Sequence, residues 1–343
     1  MSFLNVAIVG ATGAVGQELL SLLEKRHFPM RELRCFASSR SSGKTVLFKE
    51  ELLPLLPLSE NNFKGIDLAI FSAGRAVSKE WVPIALQQGV KVVDNSSYFR
   101  MDPDVPLVIP EINSHLLTYS TQLIASPNCS TTLMLMALAP LHRHYKIERI
   151  VAATYQAASG AGLLAMKELE AETLAHLENR PYTRSVMPHP YAFNLFPHNS
   201  PFTEEGYAEE EIKMREEARK ILEEPTLGVH ATCVRVPVLR AHAEALNVTF
   251  KSPISVAEGY SLLKNAPGIT LLEDRVTNRF AMPSDATGQD AVFCGRLRQD
   301  PSCANTLDLW VVGDQLLKGA ALNALQIAEL LVKKERCEYC PKL

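Results

Sequence analysis

The stretch Gly10-Ala-Thr-Gly-Ala-Val-Gly16 follows the apolar run Phe3 to Val9 and precedes leucines that recur at helical spacing. The pattern predicts a strand, a tight glycine turn and an amphipathic helix. Glycines let the backbone approach a ligand closely, and the N–H groups that begin the helix attract a pyrophosphate. We therefore expect a dinucleotide to bind here, at Gly10, Thr12, Gly13, Ala14 and Val15.

Outward from this turn, short β-branched runs alternate with helical patterns through the first third of the chain. The predicted elements are strands at Leu33–Ala37, Asp67–Phe71, Val90–Asp94 and Leu123–Ala125, with a helix at Arg75–Gln88. Such alternation is typical of an α/β fold in which crossover helices join parallel strands. The fold class that it predicts is a Rossmann-type doubly wound parallel sheet.

A second domain is predicted after Asn128, because the character of the chain changes there. Its expected elements are helices at Thr131–Leu141, Gly162–Glu178 and Glu209–Glu223, and strands at Ile147–Tyr155, Ala231–Leu239, Ala245–Phe250, Val292–Leu297 and Leu307–Val312. These predict an α+β catalytic and dimerisation domain, residues 129–313, with a mostly antiparallel sheet. Residues 1–128 form the first domain, which the last helix, Gln315–Lys334, completes within about 314–343.

The stretch Arg180 to Pro201 contains five prolines and cannot be regular helix or central strand. We expect a long ordered loop or connecting arm. Because such loops in compact domains are usually functional or interfacial, this one is a candidate dimer contact.

Composition favours an ordinary soluble protein: 343 residues, 47% hydrophobic, 21% charged and a net charge of −3. Nothing in it suggests a nucleic-acid or membrane partner. The N-terminus resembles no signal peptide, so we expect a cytoplasmic protein.

The 7 cysteines, an odd number, indicate reduced thiols. Cys337 and Cys340 lack a second pair, and no metal site is predicted.

Cofactor choice depends on the end of the second strand, where an NAD enzyme normally places an acidic residue. This chain has Ser38-Ser39-Arg40-Ser41 there. An arginine beside small hydroxyl residues, here Arg40 and Ser41, suits a ribose 2′-phosphate and favours NADP. A solvated polar loop is the alternative interpretation.

Cys129 stands where a strand gives way to a helix, in Ser126-Pro-Asn-Cys-Ser130. A helix N-terminus stabilises a thiolate, so Cys129 is a candidate nucleophile. On this local pattern alone, a small buried hydrophobic residue is the more frequent outcome.

Together with these features, further motifs carry a resemblance that extends over essentially the whole chain. They are Asp94-Asn-Ser-Ser97 with Phe99-Arg-Met-Asp102, Tyr155-Gln-Ala-Ala-Ser-Gly-Ala-Gly162, Glu210-Glu-Ile-Lys213, Arg235-Val-Pro-Val-Leu-Arg-Ala-His242 and Gly319-Ala-Ala-Leu-Asn323. The chain resembles the aspartate-semialdehyde dehydrogenases. The resemblance implies that NADPH reduces aspartyl-4-phosphate to aspartate-4-semialdehyde, on the route to lysine, threonine and methionine.

The resemblance also implies residue roles. Cys129 would form a thioester, His242 would be the acid/base group, and Gln156 would orient the acyl intermediate. Arg235 would bind the substrate carboxylate and Glu210 its ammonium. The remaining roles are phosphate binding by Arg100, Asn128 and Lys213, and nicotinamide contacts by Ser159, Gly160 and Asn323.

For two pairs of these residues, the spacing in the sequence does not by itself favour the implied roles. Glu210 and Lys213 stand at i and i+3, where a surface ion pair is the ordinary interpretation. Arg235 precedes His242 by seven residues, which places the two on opposite faces of one regular strand. If both serve one site, the strand must end or bend near Leu239.

Rival functions stay open. N-acetylglutamyl-phosphate reductase uses similar chemistry, but its blocked substrate amine does not need Glu210. Glyceraldehyde-3-phosphate dehydrogenase fits poorly with Ser38 to Ser41. A non-enzymatic NADP-binding sensor would not depend on Cys129. A small-molecule substrate and a homodimer are the expected partners.

Overall fold

A computed structural model describes residues 3–38, 41 and 43–339, with side chains described as far as Lys333. The strands are β1 (Leu4–Val9), β2 (Met30–Phe36), β3 (Thr45–Phe48), β4 (Glu51–Leu56), β5 (Leu68–Phe71), β6 (Lys91–Asp94), β7 (Leu123–Ala125), β8 (Ile147–Gln156), β9 (Phe196–Pro197), β10 (Gly228–Arg235), β11 (His242–Phe250), β12 (Ile269–Leu271), β13 (Glu273–Asp274), β14 (Arg279–Phe280), β15 (Val292–Gln299) and β16 (Thr306–Gly313). The helices are α1 (Ala14–Lys25), α2 (Arg75–Gln87), α3 (Pro110–Asn113), α4 (Cys129–Tyr145), α5 (Leu163–Leu177), α6 (Glu209–Leu222), α7 (Val256–Lys264), α8 (Pro283–Ala286) and α9 (Leu322–Tyr339). In the part of the chain described, no helix is both long enough and apolar enough to cross a membrane.

The chain divides into two compact units, Met1–Pro127 with Ala320–Leu343, and Asn128–Gly319. Asn128 and the residues just after 313 therefore belong to the second unit, where the sequence had suggested the first. Hydrogen bonding explains the later boundary. Asp314 accepts from Arg240 Nε at 2.7 Å, and Gln315 accepts from the Ala241 N–H at 3.0 Å. Both contacts fasten the segment after β16 to the second unit.

The first unit contains a sheet in the order β3-β4-β2-β1-β5-β6-β7. Its strands run parallel except for the antiparallel pair β3–β4. This confirms the predicted Rossmann-type doubly wound sheet. The hairpin β3–β4 was not predicted. It lies at the sheet edge, where Leu47 and Leu52 are exposed, so its hydrophobic pattern is that of a surface strand pair.

The glycine turn joins β1 to α1, as predicted. Gly10 has φ of 97°, and a Cβ there would lie 2.5 Å from the Ser72 carbonyl oxygen. A Cβ on Gly16 would overlap the Gly10 carbonyl oxygen. No described side chain caps the start of α1. The turn is therefore tight, and the first N–H groups of the helix are left without a side-chain partner.

The second unit contains a mixed sheet in the order β12-β15-β16-β11-β8-β10-β9. Neighbouring strands are antiparallel except for the parallel pairs β8–β10 and β12–β15, so the sheet is mostly antiparallel, as predicted. Arg235 and Gln156 are register partners at the ends of β10 and β8. His242 pairs with Gly313 where the antiparallel β11 begins. These four positions therefore lie at the same end of four neighbouring strands.

The predicted strand Ala231–Leu239 ends earlier than expected, at Arg235. The chain turns through residues 236–241, where Ala241 has φ of 72°, and starts β11 at His242. Arg235 closes one strand and His242 opens another. The odd spacing between them is thus no obstacle to a shared location.

Within Arg180 to Pro201 the only regular element of the described chain is the short strand β9, which agrees with the predicted ordered loop. Two glutamates of α5 hold this segment. Glu168 accepts from the N–H groups of Ser185, Val186 and Met187 at 2.6 to 2.9 Å. Glu172 accepts from the N–H groups of Tyr191 and Ala192 at 2.9 and 3.1 Å. The carboxylates replace the missing secondary structure as hydrogen-bond partners.

Candidate active site

Cys129 is the first residue of α4, which begins two residues before the predicted start at Thr131, and its side chain is half-buried. Asn128 caps the helix, because its Oδ1 accepts from the N–H groups of Ser130 and Thr131 at 2.9 and 3.2 Å. The helix N-terminus carries a partial positive charge that favours a thiolate over a thiol. The local environment is therefore suited to a nucleophilic cysteine.

Gly319 allows the chain to pass close to Cys129. A Cβ on Gly319 would lie 2.9 Å from the Cys129 Cβ and 3.2 Å from the Gln315 Cβ. Gly319 belongs to a π-helical turn, Leu317–Ala321, and such turns are frequent at functional sites. The sequence showed the motif that contains Gly319 but gave no reason for the glycine itself.

Glu210 is buried on α6 and is surrounded by donors. Its Oε1 accepts from Asn128 Nδ2 at 2.7 Å and from Gln156 Nε2 at 3.3 Å, while Lys213 Nζ lies 3.4 Å from Oε2. Burial alone would raise the pKa of Glu210. The positive charge that His198 carries at low pH, the charges of Lys213 and Arg235, and the Asn128 amide outweigh it and lower the pKa to about 2. Glu210 is therefore an ionised buried carboxylate, and the interpretation as a surface ion pair is wrong.

Gln156 ends β8 and lies between Glu210 and the start of α4. Besides its contact with Glu210, its Nε2 donates to Ser130 Oγ at 2.7 Å. Its Oε1 is buried and has no hydrogen-bond partner among the residues described. The amide is thus fixed on one side and has an unused acceptor on the other.

Arg235 is buried at the end of β10, where two neutral groups hold its guanidinium. Its Nη2 lies 2.7 Å from His198 Nε2, and its Nε donates to Asn199 Oδ1 at 3.3 Å. Gly160 brings backbone against this arginine and against His242. A Cβ on Gly160 would lie 3.1 Å from Arg235 Nη1 and 2.9 Å from His242 Nε2.

His242 is fully buried and has a defined tautomer. Its Nδ1 accepts from the Ala157 N–H at 3.0 Å, so the proton of the neutral ring is on Nε2. Burial, with the charge of Arg235, lowers the pKa of His242 to about 3. Nε2 has no partner in the described part of the chain. The ring therefore presents a neutral N–H donor at physiological pH.

Glu244 follows two residues later on β11, on the same face as His242. It is fully buried, neither carboxyl oxygen has a partner among the described residues, and burial raises its pKa. Burial therefore favours the protonated, neutral form of Glu244.

Several site residues were not predicted from the sequence. Glu217 Oε2 accepts from the Asn128 N–H at 2.6 Å, and its spacing of seven residues from Glu210 places both on one face of α6, which periodicity could have shown. His198 and Asn199 lie in the proline-rich stretch, where no periodic pattern exists. Glu244 looked like an ordinary strand residue.

The remaining predicted residues of the second unit are Ser159 and Lys213. Ser159 Oγ contacts Gln315 Nε2, and Lys213 pairs with Glu210. Both side chains therefore have partners within the unit.

The other predicted residues belong to the first unit. Arg100 donates from Nε to the Ser126 carbonyl at 2.9 Å and from Nη2 to the Asn95 carbonyl at 2.8 Å. Asn323 Nδ2 donates to the Val108 carbonyl and to Ser126 Oγ, both at 3.0 Å. Ser41 donates its N–H to the Ser38 carbonyl at 2.8 Å. Arg40 and Cys340 lie outside the described residues, as does the side chain of Cys337.

Family models match both parts of the chain. Residues 5–119 match the NAD binding domain of semialdehyde dehydrogenases, and residues 138–318 match their dimerisation domain. Together with a dinucleotide turn and a cysteine at a helix start, these matches define a semialdehyde dehydrogenase that uses a nicotinamide cofactor.

Relatives identify the particular family. The chain is 53% identical over 331 residues to an aspartate-semialdehyde dehydrogenase of Synechocystis sp., covering 96% of this chain and 98% of the relative. It is 44% identical over 338 residues to that of Bacillus subtilis, covering 96% and 98%. The crystal structure of aspartate-semialdehyde dehydrogenase II from Vibrio cholerae has a TM-score of 0.93 at 42% identity, covering 97% and 99%.

The chain belongs to the aspartate-semialdehyde dehydrogenase family. It is an oxidoreductase of amino-acid biosynthesis that acts on a small-molecule substrate with a nicotinamide cofactor. This membership decides against the rival reductase, the glyceraldehyde-3-phosphate dehydrogenase and the non-enzymatic sensor.

Proposed function

We propose that the reaction proceeds through a thioester on Cys129. The thiolate attacks the acyl phosphate carbonyl, a C–S bond forms, and the C–O bond to phosphate breaks. The single observation that carries this proposal is the position of Cys129 at the capped start of α4. Nucleophilic catalysis needs a nucleophile activated by its surroundings, and a helix N-terminus provides that activation.

Arg235 and Glu210 are proposed to bind the two charged groups of the substrate. The planar guanidinium of Arg235 suits a carboxylate, and an ionised Glu210 suits an ammonium group. An acetylated amine is uncharged, so it would leave the buried Glu210 carboxylate, with its pKa of about 2, without a cationic partner. The relative from Vibrio cholerae was crystallised as a complex with ASA. This supports aspartate semialdehyde as the substrate.

His242, for which the sequence predicts an acid/base role, is proposed instead as a neutral hydrogen-bond donor, because a pKa of about 3 leaves no imidazolium to transfer a proton near pH 7. When the nucleophile adds to the carbonyl, negative charge develops on the carbonyl oxygen, and the Nε2–H of His242 can donate to it. The hydrogen bond from Ala157 to Nδ1 fixes that tautomer. Gln156, with its unused Oε1, is proposed to orient the acyl group.

Phosphate binding is proposed for Asn128, Lys213 and Arg100. Lys213 and the Asn128 amide both contact Glu210, so their donors lie beside this carboxylate. The role of Arg100, which belongs to the first unit, stays a prediction from the sequence.

The cofactor is proposed to be NADP, bound at the turn between β1 and α1. Within the described chain, no side chain caps the start of α1, so its N–H groups can bind a pyrophosphate. The tight turn at Gly10 and Gly16, which leaves no room for a Cβ, supports this assignment. When bound, NADPH supplies the hydride. Ser159, Gly160 and Asn323 are the proposed residues at its nicotinamide end. Ser38 and Ser41, in place of an acidic residue after β2, support a 2′-phosphate.

A homodimer is proposed from the family's dimerisation domain, and Phe193 and Leu195 of the proline-rich segment are 63% and 61% exposed. Large exposed apolar side chains mark interaction surfaces. A monomeric mass in light scattering would contradict this proposal. The cytoplasmic location stays a prediction.

The substrate assignment predicts phosphate-dependent NADP reduction with aspartate semialdehyde and negligible turnover of N-acetylglutamate semialdehyde. The Glu210→Gln variant should lower kcat/KM for aspartate semialdehyde by about 10-fold or more, because it removes the charge opposite the ammonium. Glu216→Gln, on a partly exposed face of the same helix, is the control and should stay within about 2-fold. No turnover of aspartate semialdehyde by the unmodified enzyme would refute the assignment.

The cofactor assignment predicts that Arg40→Ala raises KM for NADP by about 10-fold to 100-fold and leaves KM for NAD nearly unchanged, because a charge-assisted contact to the 2′-phosphate is lost. Arg31→Ala, at the opposite end of β2, is the matched control. Steady-state kinetics with both cofactors measure the effect. An equal loss with NADP and NAD would count against a 2′-phosphate contact.

A further inference from the structure

His198 lies in the proline-rich segment, directly after β9, and is 7% exposed. Its backbone N–H donates to the Cys233 carbonyl at 2.8 Å, which fixes it beside β10. Its side chain reaches the end of that strand, where Nε2 lies 2.7 Å from Arg235 Nη2. His198 is therefore held in direct contact with Arg235, the arginine that the proposed function assigns to the substrate carboxylate.

The contact with Arg235 decides the tautomer of His198. A guanidinium can only donate, so Nε2 must be the acceptor and the ring proton must be on Nδ1. Nδ1 lies 3.0 Å from Ser200 Oγ, to which it donates. The Ser200 N–H also points at Nδ1, at 3.1 Å, and this contact would be a hydrogen bond only in the tautomer that turns a protonated Nε2 against the Arg235 guanidinium. Burial and the charge of Arg235 lower the pKa of His198 to about 4, so the ring is neutral at physiological pH.

Ser200 extends the connection to Glu210, because Ser200 Oγ accepts from the Glu210 N–H at 3.2 Å. A chain of hydrogen bonds thus joins Arg235 to Glu210 through His198 and Ser200. The two residues proposed to bind the carboxylate and the ammonium of the substrate are held at a fixed separation by a segment that belongs to neither strand nor helix.

Because its partners are neutral, Arg235 keeps its positive charge available for a substrate. Its side-chain partners, His198 and Asn199, are both uncharged, and no ion pair of Arg235 occurs among the described residues. An acidic partner would neutralise the guanidinium and compete with a substrate carboxylate. An imidazole acceptor orients the guanidinium and leaves its charge available.

We propose that His198 is a positioning residue that makes the site selective for substrates with an α-carboxylate. It acts through Arg235 by accepting from Nη2, so that the remaining donors face the substrate. The inference rests on the proposed function, because it assumes that Arg235 binds the carboxylate.

The test compares aspartate semialdehyde with 3-aminopropanal, which is the same aldehyde without its carboxylate. The measured quantity is the ratio of kcat/KM for the two substrates. His198→Leu removes the acceptor and should lower this ratio by about 10-fold or more, through a higher KM for aspartate semialdehyde. His198→Gln, whose Oε1 can accept from Arg235, should recover most of the ratio. A purely structural role predicts that both substrates lose activity equally and that the ratio stays unchanged, which would overturn the proposal.

Arg235→Met separates this inference from the proposed function. If Arg235→Met lowers the ratio and His198→Leu does not, the inference fails and the role of Arg235 stands. If Arg235→Met leaves the ratio unchanged, the carboxylate role of Arg235 fails, and the inference fails with it. Should His198→Leu not fold, His198→Phe replaces it as the variant without an acceptor, and the same ratio decides.

Discussion

Replacement of Cys129 with serine is expected to lower kcat for the phosphate-dependent oxidation of aspartate semialdehyde by on the order of 10⁴-fold or more. A serine hydroxyl has a far higher pKa than a thiol, so the helix N-terminus that favours a thiolate cannot generate an alkoxide. The geometry of the helix start should survive, because Asn128 caps α4 through the N–H groups of Ser130 and Thr131, not through Cys129. The loss would therefore be chemical.

Two measurements check this expectation. Steady-state kinetics give the loss of kcat, and mass spectrometry of acid-quenched enzyme should find an acyl group on the peptide that contains Cys129. Cys303→Ser is the matched control, since Cys303 is exposed in the turn between β15 and β16, and its activity should stay within about 2-fold. A Cys129→Ser variant with more than a tenth of the original kcat would refute the thioester mechanism.

The cofactor turn could be predicted because local physics dictates it. A Cβ on Gly10 would lie 2.5 Å from the Ser72 carbonyl oxygen, so the turn has no room for one, and the flanking strand and helix have clear hydrophobic periods. The start of α4 was equally visible from its residue types. In both cases a short segment determines its own conformation.

The surroundings of Arg235 could not be predicted in the same way. His198 comes from a proline-rich segment whose path is set by distant carboxylates, Glu168 and Glu172 on α5. No period or propensity links position 198 to position 235. The raised pKa of Glu244 likewise follows from complete burial, which depends on the packed sheet. Such features arise from tertiary structure and are absent from any local pattern.

The shared location of Arg235 and His242 is an intermediate case, which the sequence predicted only in part. Their spacing excluded a common face of one regular strand, and the resemblance required a common site. Both conditions are met because β10 ends at Arg235 and β11 starts at His242. The break was foreseeable from Pro237, which cannot donate to a central sheet.

Replacement of His242 with leucine is expected to lower kcat by about 10²-fold to 10³-fold, the usual cost of losing one hydrogen-bond donor to an oxyanion. His242→Gln should be more active than His242→Leu, because a glutamine amide can place an N–H donor near the position of Nε2. His230→Gln, exposed on β10, is the control and should stay within about 2-fold. Equal losses in His242→Gln and His242→Leu would argue against a donor role.

The tautomer of His242 makes this prediction more specific. With Nδ1 bonded to the Ala157 N–H and the proton on Nε2, the neutral ring has no lone pair free to remove a proton from Cys129. Because the pKa of His242 is lowered to about 3, the ring is also not the cation that would stabilise a thiolate near pH 7. The pH dependence of Cys129 alkylation by iodoacetamide should therefore be the same in His242→Gln as in the unmodified enzyme. A shift of about one pH unit or more in the midpoint would identify His242 as the base, and the donor role would then have to be abandoned.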